Sequence, residues 1–204
     1  GKRRTTKAER QEIFLPISGF VWLYPEEVKV INHPVFQRLG RIYQLGQTYV
    51  IYRGATHRRF EHSIGTIHMV QRMIDAVSHT CDKYKHKHFE VYGAKIQSDE
   101  ERFIRLGALL HDIGHIACGH TIEDELCITH KHDSHERLTL VFKDKGKKWV
   151  DDNNKTLGEL IDAEFDIYIP PYLKSKGITA SEIILLLISK SPDEIQNGEL
   201  GKAI

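Results

Sequence analysis

The alternation of hydrophobic and polar positions predicts helices along most of the chain. From Glu61 to about Thr80 the apolar residues recur at steps of three and four, which defines one buried helical face. The residues of this face are Ile64, Ile67, Val70, Ile74 and Val77. A second segment, from about Glu100 to Ile113, is apolar almost all round and predicts a central, buried helix.

Shorter segments follow the same helical period. The stretch "YPEEVKVINHPVFQRLGRIYQLG" predicts two short helices that divide around Pro34, and "KTLGELIDAEF" predicts another helix. Ser134 can cap a helix, and Thr179 with Glu182 has the spacing of a capping box before an apolar run. The fold class is therefore an all-α helical bundle.

One stretch departs from this period. "GQTYVIYRGATH" is β-branched, aromatic and punctuated by glycine, so it predicts a loop or a small β-hairpin near residues 47–54. The start of the chain, "GKRRTTKAER", is basic, and residues 1–14 are expected to be a solvated tail. Residues 15–204 are expected to form one domain.

Composition limits the possible partners. The net charge of +1 gives no global reason for the chain to bind nucleic acid or an acidic membrane. No apolar run reaches the length of a membrane span. The three cysteines fit neither an even disulfide framework nor a Cys-x-x-Cys spacing, which favours a reducing compartment, with the cytoplasm as the default.

Histidine is over-represented, with 13 copies, and three of them lie in "LLHDIGHIACGH" at the end of the central helix. His111 and Asp112 stand side by side there. An imidazole with a carboxylate suits Mn, Fe, Mg, Ni or Zn, and no thiolate biases the set toward soft metals. Adjacent helical residues point about 100° apart, so further ligands must come from other helices.

His62, at the start of the other strongly patterned helix, is the best third ligand. It follows Arg58 and Arg59, and a guanidinium beside a metal would clamp a phosphate. The alternative is that His111 and Asp112 form a buried hydrogen-bonded pair and that His62 is a core histidine. That alternative requires a whole set of buried polar groups to be satisfied, so the combination favours a site.

Three motifs in this order resemble one family: "FQRLGRIYQLGQTYVIYRGATHRRFEHSIG", then "LGALLHDIGHIACGH", then "HERL". They are similar to the HD-domain metal-dependent phosphohydrolases, in the branch of the SAM and HD domain dNTP triphosphohydrolase and the bacterial dGTPase-like enzymes. The resemblance covers roughly Leu15 to Phe142. It implies the HD helical fold, a divalent metal, a nucleotide substrate and a homo-oligomeric assembly.

Carried over position by position, the resemblance assigns three groups of residues. The implied metal ligands are His62, His111 and Asp112. Arg59 is the implied α-phosphate clamp, while Gln44 and Leu45 would line the nucleotide pocket. The implied catalytic and phosphate-contacting residues, with His120 as general acid, are His115, His120, His135, Glu123 and Glu136.

The implied reaction cleaves a (deoxy)nucleoside triphosphate to nucleoside and triphosphate. The leaving 5′-alkoxide needs a proton donor, which is worth about 10²- to 10⁴-fold in rate. Two alternatives stay open: another HD activity, such as a 5′-nucleotidase, cyclic nucleotide phosphodiesterase or nuclease, and a catalytically inactive HD regulatory or interaction module.

The chain also departs from the family pattern. "LPISG" replaces the usual Asp-Pro-x-His-Gly, and Gly40 replaces an arginine that nucleotide-activated members use. The family's fourth ligand, an aspartate, is expected beyond Ile204, since neither Asp166 nor Asp193 has its context; the chain is thus expected to be a fragment. In "HKHDSH" only His135 is expected to enter the site.

Overall fold

The computed structural model describes residues 10–84, 96–119, 121–127, 129–146 and 148–189. Over these residues the protein is helical, as the sequence pattern predicts. The α-helices are α1 (Pro25–Asn32), α2 (Pro34–Gln37), α3 (Arg59–Tyr84), α4 (Ser98–Leu110), α5 (His135–Lys143), α6 (Leu157–Phe165), α7 (Pro171–Lys174) and α8 (Ala180–Ile188). Short 3₁₀ helices span Arg38–Arg41, Gly46–Val50 and Asp166–Tyr168, and a π-helical turn spans Thr121–Glu125.

A two-stranded antiparallel sheet precedes the helices. Strand β1 (Gln11–Leu15) pairs with β2 (Gly19–Leu23), and Gly19 closes the turn with a φ of 71°. Strand β1 includes residues 11–14, which the basic composition assigned to the tail. The sheet is anchored because Leu15, Val21 and Leu23 are buried.

Of the two alternatives predicted for residues 47–54, a loop or a small β-hairpin, the hairpin was wrong. Gly46–Val50 form a 3₁₀ helix, and a turn follows it. Val50, Ile51 and Tyr52 are all more than half exposed, so their β-branched and aromatic side chains have no buried face on which a strand could settle. β-propensity without burial therefore did not produce a strand here.

Helices α3 and α4 pack antiparallel along the core. His62 lies beside His111, Thr66 donates to the carbonyl of Ala108, and Gln71 accepts from Arg105, so the pairing runs in opposite directions along the two helices. The start of α3 is thereby brought to the end of α4.

A buried ion pair fixes how α4 sits against α1. The Arg105 side chain is fully buried; its Nε and Nη2 donate to the two carboxylate oxygens of Glu27 at 2.7 and 2.8 Å. Its remaining donors reach Gln71 Oε1 at 2.7 Å and the Trp22 carbonyl at 3.1 Å. A paired arginine whose three nitrogens all donate hydrogen bonds is tolerated inside a core, and this one sets the rotation of α4.

The predicted helix starts are confirmed. Ser134 accepts from the backbone N–H of Arg137 at the start of α5, and Thr179 forms a capping box with Glu182 at the start of α8.

Cys118 and Cys127 are free thiols. Among the described helices, none combines the length and the hydropathy that crossing a membrane requires.

His33 caps α2 with its ring rather than with a hydroxyl. Its Nδ1 accepts from the N–H of Val35 at 3.3 Å, so Nε2 carries the proton and donates to the Lys155 carbonyl at 3.2 Å. The residue is 1% exposed. Burial lowers the pKa of His33 below its ordinary value of 6.5, although the bond to Lys155 opposes this shift.

We therefore expect acid to destabilise the fold through His33. Because its folded-state pKa is depressed, its contribution is fully present above pH 6.5 and is lost as the pH falls below that value. The free energy of unfolding, measured by urea denaturation, should drop less in His33→Asn than in the wild type between about pH 7.5 and about pH 5.5. An equal drop in both proteins would contradict this role.

Candidate metal centre

Three side chains from two helix ends converge on one point. His62 lies in the first turn of α3, and His111 and Asp112 follow α4. Nε2 of His62 is 3.3 Å from Nε2 of His111, and Asp112 oxygens lie 3.6 Å from His62 Nε2 and 3.2 Å from His111 Nε2. One ligand atom from each residue fits within a span of 4.8 Å. The three predicted ligands are therefore brought together.

The ring orientations suit a cation. His111 Nδ1 is 2.7 Å from the Ala108 carbonyl, so Nδ1 carries the proton and the Nε2 lone pair faces the other two residues. Burial lowers the pKa of His62, with the charges of His111 and Arg59 acting in the same direction and Asp112 opposing them. A neutral imidazole is the form that ligates metals, so the donor set fits a divalent ion.

Arg59 places a positive charge beside these three side chains. It is 3% exposed, and its Nη1 donates to Asp112 Oδ2 at 2.8 Å. Its Nη2 reaches the Gln44 carbonyl at 3.4 Å, which places the "QLG" segment beside the centre. Arg59 Nε and Gln44 Oε1 are buried without a hydrogen-bond partner in the described part of the chain. Two such groups are costly unless a ligand satisfies them.

A second cluster adjoins the first through Asp112. His115 Nε2 lies 3.6 Å from Asp112 Oδ1, and its ring stacks on His132 with centroids 3.5 Å apart. The fully buried Glu123 carboxylate lies 2.9 Å from His132 Nδ1 and 3.7 Å from His115 Nδ1. Asp112, His115 and His132 form a further group whose geometry could hold a metal.

The expectation that only His135 of "HKHDSH" enters the site was wrong for His132. His130 and His132 lie in the non-helical stretch before α5, where the sequence offers no period that separates a buried histidine from an exposed one. Gly114 was the available signal, because a Cβ there would lie 1.9 Å from the His132 carbonyl oxygen. Glycine at 114 therefore admits the backbone of His132.

The other predicted residues are more dispersed. His135 and Glu136 are exposed in the first turn of α5, and Leu45 is 49% exposed. His120 lies outside the described residues. Asp166 pairs with Lys174 on an exposed surface. The catalytic and substrate-contacting roles of all these residues stay predictions.

Comparison with known proteins places these features in a family context. The sequence profile of the HD domain family matches residues 59–189. The chain is 31% identical to the "Deoxynucleoside triphosphate triphosphohydrolase SAMHD1" of Xenopus laevis over 63% of this chain and 19% of that protein. It is 33% identical to the human protein of the same name, over 53% of this chain and 16% of that protein.

A bacterial relative is similar over the same share of the chain. The "Uncharacterized protein YwfO" of Bacillus subtilis is 41% identical over 61% of this chain and 27% of that protein. The chain thus spans between 16% and 27% of the length of these three relatives.

Adding a methyl group at Gly114 is expected to displace the His132 segment. Gly114→Ala must move a backbone carbonyl and not a flexible side chain, so it should destabilise the fold by roughly 1 to 3 kcal/mol in urea denaturation. Gly54→Ala is the matched control, because nothing lies within 4 Å of a Cβ at that position. Equal stability of the two variants would show that the segment tolerates the shift.

Proposed function

The chain belongs to the HD domain family, and we propose that it is a metal-dependent phosphohydrolase acting on (deoxy)nucleoside triphosphates, giving nucleoside and inorganic triphosphate. The observation that carries the proposal is the contact between Arg59 and Asp112, because it sets a phosphate-binding guanidinium directly beside a metal ligand. The similarity to two triphosphohydrolases supports the substrate class.

The residues that would hold the metal are His62, His111 and Asp112. When bound, a divalent ion there supplies Lewis acidity toward a phosphate oxygen and toward water. Arg59 Nη1 is engaged by Asp112, so the free Nε is the donor available to an α-phosphate oxygen. Gln44 and Leu45 would border the sugar and base, since the Gln44 backbone touches Arg59.

The proton for the leaving 5′-oxygen must come from the histidines next to the centre. The buried Glu123 carboxylate lies 2.9 Å from His132 Nδ1 and 3.7 Å from His115 Nδ1, so it holds both rings beside the centre. His120 is the general acid that the family resemblance implies. His135 and Glu136 remain proposed phosphate contacts.

The second candidate is another HD phosphohydrolase, which the same metal ligands would serve. The position of Gln44 against Arg59 favours the triphosphohydrolase, because this contact joins a nucleotide-pocket segment to the phosphate clamp. The third candidate, an inactive HD module, is favoured by the His62 group, which among the described residues holds two histidines and one carboxylate and lacks a second carboxylate as fourth ligand.

We expect the protein with added Mn²⁺ to bind about one metal per chain and to release inorganic triphosphate from dGTP. His111→Ala should lose about a hundredfold or more of this activity and most of the metal, because it removes a ligand. His79→Ala, at an exposed position on α3, is the matched control. Release of phosphate or pyrophosphate alone would favour another HD activity, and metal-free, inactive protein would favour the inactive module.

Arg59→Lys is expected to lower kcat/KM about 10- to 100-fold while metal content is retained. An ammonium on a flexible stem lacks the planar fork that could hold Asp112 and a phosphate together. Arg58→Lys is the control. The Arg58 guanidinium lies over the Tyr43 ring, 3.4 Å from its centroid, and is therefore not the group that pairs with Asp112. Steady-state kinetics with metal analysis would measure both, and equal effects of the two substitutions would contradict the clamp.

A further inference from the structure

A separate cavity of about 330 Å³ lies against the loop that follows Asp112. Its lining includes Ile116 and Ala117 of that loop, and it contains none of the residues of the two histidine clusters. The rest of its apolar wall comes from the region of α2 and from α5 and the segment after it. The lining residues on that wall are Val35, Ile42, Val141 and Trp149.

Two guanidinium groups belong to this cavity, those of Arg38 and Arg137. Arg38 donates to the carbonyls of Ile113 and His115, and Arg137 Nε donates to the carbonyl of Gly114 at 2.8 Å. Every one of these acceptors is an uncharged peptide group. Three consecutive carbonyls of the loop are thus turned toward the cavity side.

The positive charge of the pair is not balanced by an ion pair. In the part of the chain that the structure describes, no carboxylate lies within 4.0 Å of either guanidinium. Asp144 lines the cavity, but it is exposed and its Oδ1 accepts from the Gly146 N–H at 2.8 Å. Burial, with the neighbouring Arg137 charge, lowers the pKa of Arg38 to about 10. Two like charges in a half-buried pocket are stabilised by an anion.

We propose that this cavity binds a small organic anion, with a phosphate or carboxylate head on Arg38 and Arg137 and a flat apolar body against Trp149 and Val141. Guanidinium forks match the oxygens of such heads, and the apolar walls match an aromatic or heterocyclic body. The site is distinct from the metal centre, and it stands behind the loop that carries Asp112 and His115. It does not depend on the proposed hydrolysis.

Phenyl phosphate is a suitable probe, because it combines a dianionic head with one flat ring. Calorimetric titration uses the full chain after metal removal and dialysis away from the chelator, so that the metal centre contributes no ion. We expect a dissociation constant of about 1 mM, typical of a fragment-sized ligand, and weaker binding of benzyl alcohol, which lacks the charge.

Two variants test the location by different means. Arg137→Gln removes the charge while keeping a donor for the Gly114 carbonyl, and Val141→Phe keeps both charges while filling the cavity. Each should weaken phenyl phosphate binding about tenfold or more, whereas Arg72→Gln, an exposed arginine on α3, should leave it unchanged. Thermal denaturation checks that each variant is folded. If one of the two variants does not fold, the other still tests the location of the ligand.

The contrary results are equally definite. Undetectable binding of phenyl phosphate by the wild type at about 10 mM would overturn the proposal. So would unchanged binding in folded Arg137→Gln and Val141→Phe, which would place the ligand elsewhere, for example at Arg59. Binding of benzyl alcohol as tight as that of phenyl phosphate would show an apolar pocket and not an anion site.

Discussion

The buried carboxylate of Asp112 is the group around which the rest of the centre is arranged. Its side chain is 8% exposed, so its charge must be compensated inside the protein. Arg59 supplies one full counter-charge at 2.8 Å, and three imidazoles surround the two oxygens at 3.2 to 3.6 Å. Nitrogen lone pairs that surround a carboxylate in this way favour a cation at the same point. The ion pair with Arg59 orients the carboxylate, so this point is organised by the protein alone.

The position of Asp112 depends in turn on α4, whose apolar residues alone do not fix its rotation. Leu106, Leu109 and Leu110 could pack at several rotations, whereas a bidentate ion pair has one geometry. The Arg105–Glu27 pair supplies that geometry, and Arg102 makes a second buried pair with Glu26. The sequence pattern of α4 predicts a helix that is apolar all round, yet Ile104 is 39% exposed and both arginines are buried. Charged residues therefore orient the helix that presents the proposed metal ligands.

The parts of the fold and site that follow a helical period could be predicted. The period of α3 placed His62 at its start, and that of α4 placed His111 at its end; antiparallel packing then brings these two ends together. The N-terminal helix caps could also be predicted, because Ser134 and Thr179 each accept a hydrogen bond from a backbone N–H three residues along the chain. The place of the β-hairpin in the chain and the position of His132 beside His115 depend instead on which surfaces are buried by distant segments. A local sequence pattern contains no information on such contacts.

The loop from Ile113 to His115 shows how one short segment can serve two faces. Its carbonyls are held by Arg38 and Arg137, which leaves its side chains free to point elsewhere, and His115 turns toward Asp112 and Glu123. Gly114, the middle residue of the loop, has no side chain and so admits the His132 backbone. The loop therefore separates the cavity from the candidate metal centre, because its peptide groups are bound on one side and imidazoles pack on the other. The backbone that Arg38 and Arg137 hold is therefore the same backbone that positions the His115 side chain beside Asp112.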